Sequence, residues 1–222
     1  DATACEPMWR SVTGMDDLRA VDSMTTKQKK AYYKHALNID VVQVSDWMKS
    51  MAGVGNSGNE AFRPDHAELV IDYLEHAADG EDTGLITSKQ ALGQMEKSGV
   101  RLDGVDMTGY YGNFKGENRF GDVNVGAVFG SNHPGDREIE KWAAYRGENA
   151  QREERPEGDQ SDWELDYQNE TANKVFSYYL EGAVMQAVVR FSRNEERGLV
   201  VVYTDRIPDE VPVHKAGLTK FA

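Results

Sequence analysis

The chain has one cysteine, Cys5, among 222 residues. An intramolecular disulfide is therefore excluded, and so is a cysteine zinc cluster. No run approaches the ~20 apolar residues that span a bilayer, so no transmembrane helix is expected. Positive charge is scarce: 25 Lys and Arg stand against 38 Asp and Glu, for a formal net charge of −13. That deficit argues against a nucleic acid partner, because phosphates recruit Lys and Arg. It argues equally against docking on anionic lipid. Several catalytic signatures are missing. There is no Gly-x-Ser-x-Gly elbow; Gly130-Ser131-Asn132-His133 lacks the second glycine. There is no phosphate-binding loop ending in Lys-Ser/Thr, and no paired-histidine zinc helix. With 39% hydrophobic and 28% charged residues, the composition is that of a soluble globular chain. Its length admits one large domain or two small ones.

Hydrophobic periodicity organises what is present. A short helix fits Met15–Val21, and Thr25 or Thr26 opens a helix through Leu37. Ile39–Val44 is β-branched and strand-like, and Ser45 is a good N-cap for a helix over Asp46–Met51. The Gly-rich run 53–59 is a connection. Pro64 opens the clearest helix, 64–78, with Ala67, Val70, Ile71, Leu74 and Ala78 on one face. Ser88 caps a further helix through Lys97. Glycines punctuate residues 100–135, which predicts short hairpins, with a strand at Val123–Phe129. Pro134 opens a helix to Arg146, and the polar run 147–162 is a loop. From Thr171 the pattern is helical to Gly182. The segments 187–191 and 199–203 then predict a pair of strands, the second centrally buried.

The segment Asp79-Gly80-Glu81-Asp82-Thr83-Gly84-Leu85-Ile86-Thr87-Ser88-Lys89-Gln90 carries the most specific pattern. Oxygen side chains stand at positions one, three and five, glycine at six and an apolar residue at eight. A hard cation needs such a series of short oxygen ligands followed by a sharp turn. With its flanking helices, residues 64–98 resemble the EF-hand family, and residues 25–53 resemble it more weakly. The resemblance implies calcium held by Asp79, Glu81 and Thr83 side chains, the Leu85 carbonyl, a water at Thr87 and Gln90. Position twelve departs from the family, with Gln90 in place of a bidentate Glu. A weak site of ~0.1–1 mM is implied.

The expected fold is therefore α+β: an EF-hand-like helical unit over residues 1–99, then a small, mainly antiparallel sheet with one or two helices over 100–222. The two parts are allowed a shared core. The expected function is an exported, calcium-responsive binding protein with a protein partner. Export is inferred from the opening at Asp1 without an initiator Met. The run Ala2-Thr3-Ala4-Cys5 also has the small-residue pattern that precedes a lipoprotein cysteine. Secreted and periplasmic locations both fit, the latter with a lipid anchor. The alternative is a secreted, hydrolase-like enzyme or effector with its active site in the 100–205 half. His133, Asp136, Asp162 and Glu164 are its candidate groups. A structural component of a larger assembly is the third possibility. Asn169-Glu170-Thr171 is a glycosylation sequon.

Overall fold

A computed structural model describes residues 5–35, 38–44, 62–113, 118–154, 167–191, 193 and 196–216. The expected helix 46–51, the linker 53–59, and Asp162 and Glu164 lie outside the described residues. The chain divides into two compact units: Asp1–Ser23 with His133–Gly182, and Met24–Asn132 with Ala183–Ala222. The expected division at residues 99 and 100 falls inside the second unit.

The second unit is built on a six-stranded sheet: β1 (Ile39–Gln43), β2 (Thr83–Thr87), β3 (Met107–Tyr110), β4 (Val125–Phe129), β5 (Gly198–Tyr203) and β6 (Val213–Lys215). Their order is β3-β2-β4-β5-β1-β6, and every pairing is parallel. This corrects the expected fold class. The protein is α/β, with a parallel sheet in place of the mainly antiparallel one, and β1 and β2 lie within the residues expected to form a helical unit. Residues 100–135 do not fold as hairpins, because β2 lies between β3 and β4. Residues 183–188 are helical, so β5 has no antiparallel partner there. Apolar side chains point to both faces of each central strand, the pattern of a parallel sheet covered on both sides.

The helices among the described residues are α1 (Glu6–Thr13), α2 (Thr26–His35), α3 (Pro64–Ala78), α4 (Lys89–Lys97), α5 (Asp136–Ala144), α6 (Glu170–Ser177) and α7 (Ala183–Val188). Of these, α3, α4 and α7 cover the faces of the sheet, and α1, α5 and α6 belong to the first unit. In α3, Pro64 occupies the first turn, and Ala67, Val70, Ile71, Leu74 and Ala78 are all buried. They join Ala91 and Met95 of α4 on one face of the sheet, against Val42, Leu85, Ala127 and Val201. On the other face Val184, Ala187 and Val188 of α7 meet Val41, Ile86, Val128, Val200 and Val202. The strand residues alternate between the two clusters, as a period of two requires.

In the first unit α1 packs on α5 and α6. Ile139, Ala143, Ala172, Val175 and Phe176 are buried, and a π-helical turn, Tyr178–Gly182, extends α6. Asn169 caps α6 by accepting from the Ala172 amide at 2.7 Å, and its own amide donates to the Asn149 carbonyl at 2.7 Å. The sequon asparagine is thus a helix cap. Cys5 is buried with Sγ 3.8 Å from the Lys174 carbonyl, and burial pushes its thiol pKa up, which makes it a poor nucleophile.

Candidate functional site

In an open parallel sheet, ligands bind outside the carboxyl ends of the strands, where successive connections leave to opposite faces. Two adjacent pairs in the second unit have that property. After β2 the chain enters α4 on one face, whereas the next helix of this unit after β4 is α7 on the other. After β1 comes α3 on the first face. After β5 the chain carries Val211 into the second.

Of the six buried polar side chains among the described residues, four stand at the carboxyl edge, and Thr83 and Asn124 stand at the amino edge. Gln43 ends β1, Thr87 ends β2, Ser131 lies two residues beyond β4, and Thr204 follows β5; all four are buried. An apolar core gives no reason to place them there. Each strand end, however, presents backbone groups that need partners. Thr87 donates to the Phe129 carbonyl at 2.7 Å, and the Gln43 amide donates to the Thr204 carbonyl at 3.0 Å. Tyr111 donates to the Gly130 carbonyl at 2.7 Å. Burial pushes its phenol pKa well above the usual range. These bonds brace the strand ends at both crevices. Cations stand at the same edge of this acidic chain: Lys89 opens α4, Arg206 lies two residues after Thr204 and pairs with Asp205 at 3.6 Å, and Lys215 ends β6. Ser88, the single residue between β2 and α4, accepts from the Ala91 amide at 3.0 Å. A further contact lies at the end of β5, where the Tyr203 hydroxyl meets Nδ1 of His66 on α3.

The five residues expected to hold calcium are not brought together. Asp79 is the left-handed C-cap of α3, with φ 47°, and Glu81 lies in the following turn. Thr83 and Leu85 are inside β2, a strand paired on both sides, so the Leu85 carbonyl belongs to the ladder. Thr83 Oγ1 donates to the Gly104 carbonyl at 2.8 Å, and its amide donates to Asp106 at 2.8 Å. Gln90 lies beyond the other end of the strand, in α4. Five extended residues put roughly 15 Å between it and Glu81. Among the described residues no group of three His, Cys, Asp or Glu could hold a metal.

His133 and Asp136, the described members of the enzyme candidates, do come together in the first unit. Asp136 Oδ1 accepts from Arg152 Nε at 3.1 Å, Arg152 Nη2 at 2.8 Å and the Tyr167 hydroxyl at 2.5 Å. The Arg152 guanidinium lies 4.1 Å from the Tyr167 ring and 4.6 Å from the Phe176 ring. His133 Nδ1 accepts from the Gly135 amide at 2.9 Å, and its Nε2 is 3.5 Å from Arg152 Nη2. Burial raises the Asp136 pKa, but the bonds from Tyr167 and Arg152 outweigh it and hold the carboxyl below its usual range. A carboxylate with three donors on one oxygen is a clamp for the 133–152 segment rather than a free base. Sequence reasoning missed Arg152 and Tyr167, which carry no motif. It also missed Gln43 and Thr204, which look like ordinary strand residues, and gave Thr87 only as the place of a calcium-bound water.

The site and fold define a doubly wound α/β protein with a braced carboxyl edge. Comparison with family models, with curated proteins and with solved structures gives no match. Among the described residues no helix is long and apolar enough to cross a membrane.

Proposed function

We propose that the second unit binds a phosphate-bearing ligand of the nucleotide class at the carboxyl edge of its sheet. One observation carries this: four of the six buried polar residues among the described residues, Gln43, Thr87, Ser131 and Thr204, stand at the carboxyl ends of four adjacent strands, at the two crevices where connections diverge. Ligand sites of doubly wound sheets lie at such crevices. Lys89 and Arg206 give that edge cationic groups suited to phosphate, in a chain otherwise rich in acid. Calcium binding would draw on residues 79–90 alone, whose donors β2 keeps apart, so it has narrower support. Hydrolase-like chemistry would draw on His133 and Asp136, whose partners already occupy them.

The test is calorimetric titration with ADP, AMP, pyrophosphate and a short single-stranded oligonucleotide. Micromolar binding of ADP or pyrophosphate is expected, and Lys89→Ala should weaken it about tenfold, or 1.4 kcal/mol. Binding of the oligonucleotide alone would shift the ligand class to a polynucleotide backbone. Silence to all four probes would overturn the proposal.

A further inference from the structure

Four side chains at the carboxyl end of β5 form a cluster that the braced edge does not account for. Tyr203 is the last residue of the strand, and its ring stacks on Phe129 with centroids 4.5 Å apart. Its hydroxyl meets His66 Nδ1, and the two rings stand edge to face at 5.6 Å. A phenol at neutral pH has a proton to donate, so Nδ1 accepts and the neutral imidazole keeps its own proton on Nε2. That Nε2 lies 3.9 Å from Asp65 Oδ2, too far for a hydrogen bond. Arg63 grips the same carboxylate, from Nε at 3.0 Å and Nη2 at 2.6 Å.

A guanidinium fork thus grips a carboxylate of the chain itself, with an imidazole nitrogen 3.9 Å away. The Arg63 and Asp65 side chains are 59% and 57% exposed. An ion pair this exposed contributes little to stability. Tyr203 and His66 are separated by 137 residues in sequence, yet their contact fixes which imidazole nitrogen faces Asp65. Guanidinium and imidazole donors set around a carboxylate are also the donors that hold a phosphate oxygen.

We propose that Asp65 is a stand-in for the ligand. A phosphate group entering the carboxyl edge takes its place between Arg63 and His66, and Tyr203 is the positioning residue that keeps the imidazole proton on Nε2. This rests on the phosphate-ligand function proposed above. It adds the residues that grip the phosphate and a carboxylate that competes with it. No bond is made or broken; one anion replaces another.

The distinguishing variant is Asp65→Asn, which removes the competing charge while keeping the shape. ADP and pyrophosphate are titrated into the wild type, Asp65→Asn, Arg63→Ala and His66→Ala. Asp65→Asn should tighten binding roughly fivefold to tenfold, whereas Arg63→Ala and His66→Ala should each weaken it about tenfold or more. If the wild type binds and Asp65→Asn binds no tighter, the stand-in is overturned and the carboxyl-edge function survives. If neither chain binds either probe, both fail together. Imidazole nitrogen shifts, read by NMR on the ligand-free protein, test the positioning step separately. His66 should show the Nε2-protonated tautomer, and Tyr203→Phe should mix the two tautomers and weaken binding with little change in the melting midpoint. An unchanged tautomer and affinity in Tyr203→Phe would leave Tyr203 with a packing role only and overturn its assignment.

Discussion

Gly84 of β2 and Gly126 of β4 are direct register partners, and the ring of Phe191 lies over both. A Cβ at Gly126 would come within 2.6 Å of that ring, and one at Gly84 within 2.8 Å. The ring is fully buried, so it has no room to retreat. Gly126→Ala should therefore overpack the core and cost about 1–3 kcal/mol, measured as a lower urea midpoint with an unchanged slope. Asp65 supports a second residue-scale prediction. The hydrogen bond from Arg63 lowers its carboxyl to about 2, against the opposing effect of burial. A folded value below the unfolded one, ~3.9, gives stability that is present above about pH 4 and lost as the pH falls through about 2. The group is exposed, so the gain is small. Carbon NMR should nevertheless place the Asp65 midpoint near 2, and Arg63→Ala should return it to the ordinary carboxylate range.

At the scale of elements, the β2–Ser88–α4 junction is short and depends on one cap. Ser88→Ala removes the acceptor for the Ala91 amide. It should cost about 1 kcal/mol, read by urea unfolding. The same stretch explains how much of the fold was legible in the sequence. Helix α3 was, because five apolar residues recur at helical spacing over fifteen positions, and β5 was, because Leu199–Tyr203 is a long apolar run. Strand β2 was not. Thr-Gly-Leu-Ile-Thr is only five residues long, and its oxygens and glycine fit a cation loop as well as a strand. Strand direction was also hidden. Between β3 and β4 the described residues form turns, so the short spacing reads as a hairpin although both strands run parallel to β2. At the site, His133 and Asp136 were visible as candidates, but the contact of His66 with Tyr203 spans most of the chain and leaves no local trace.

For the whole molecule, charge has an effect that no single contact expresses. A formal net charge of −13 implies self-repulsion in the compact state. Raising ionic strength from about 0.01 M to 1 M shortens the screening length from ~30 Å to ~3 Å. The thermal midpoint should rise by several degrees in sodium chloride, followed by circular dichroism.

The order of strands in space differs from their order in the chain, and this bears on synthesis. β1 is completed by residue 43, but its partners β5 and β6 begin at residues 198 and 213. At about 5–20 residues per second the ribosome leaves Val41 and Val42 without a neighbouring strand for roughly ten to thirty seconds. Strand β4 waits for β5 as well. A nascent chain stopped before β5 therefore carries three unpaired apolar strand edges, two on β1 and one on β4, which are open to pairing with other chains until β5 is made.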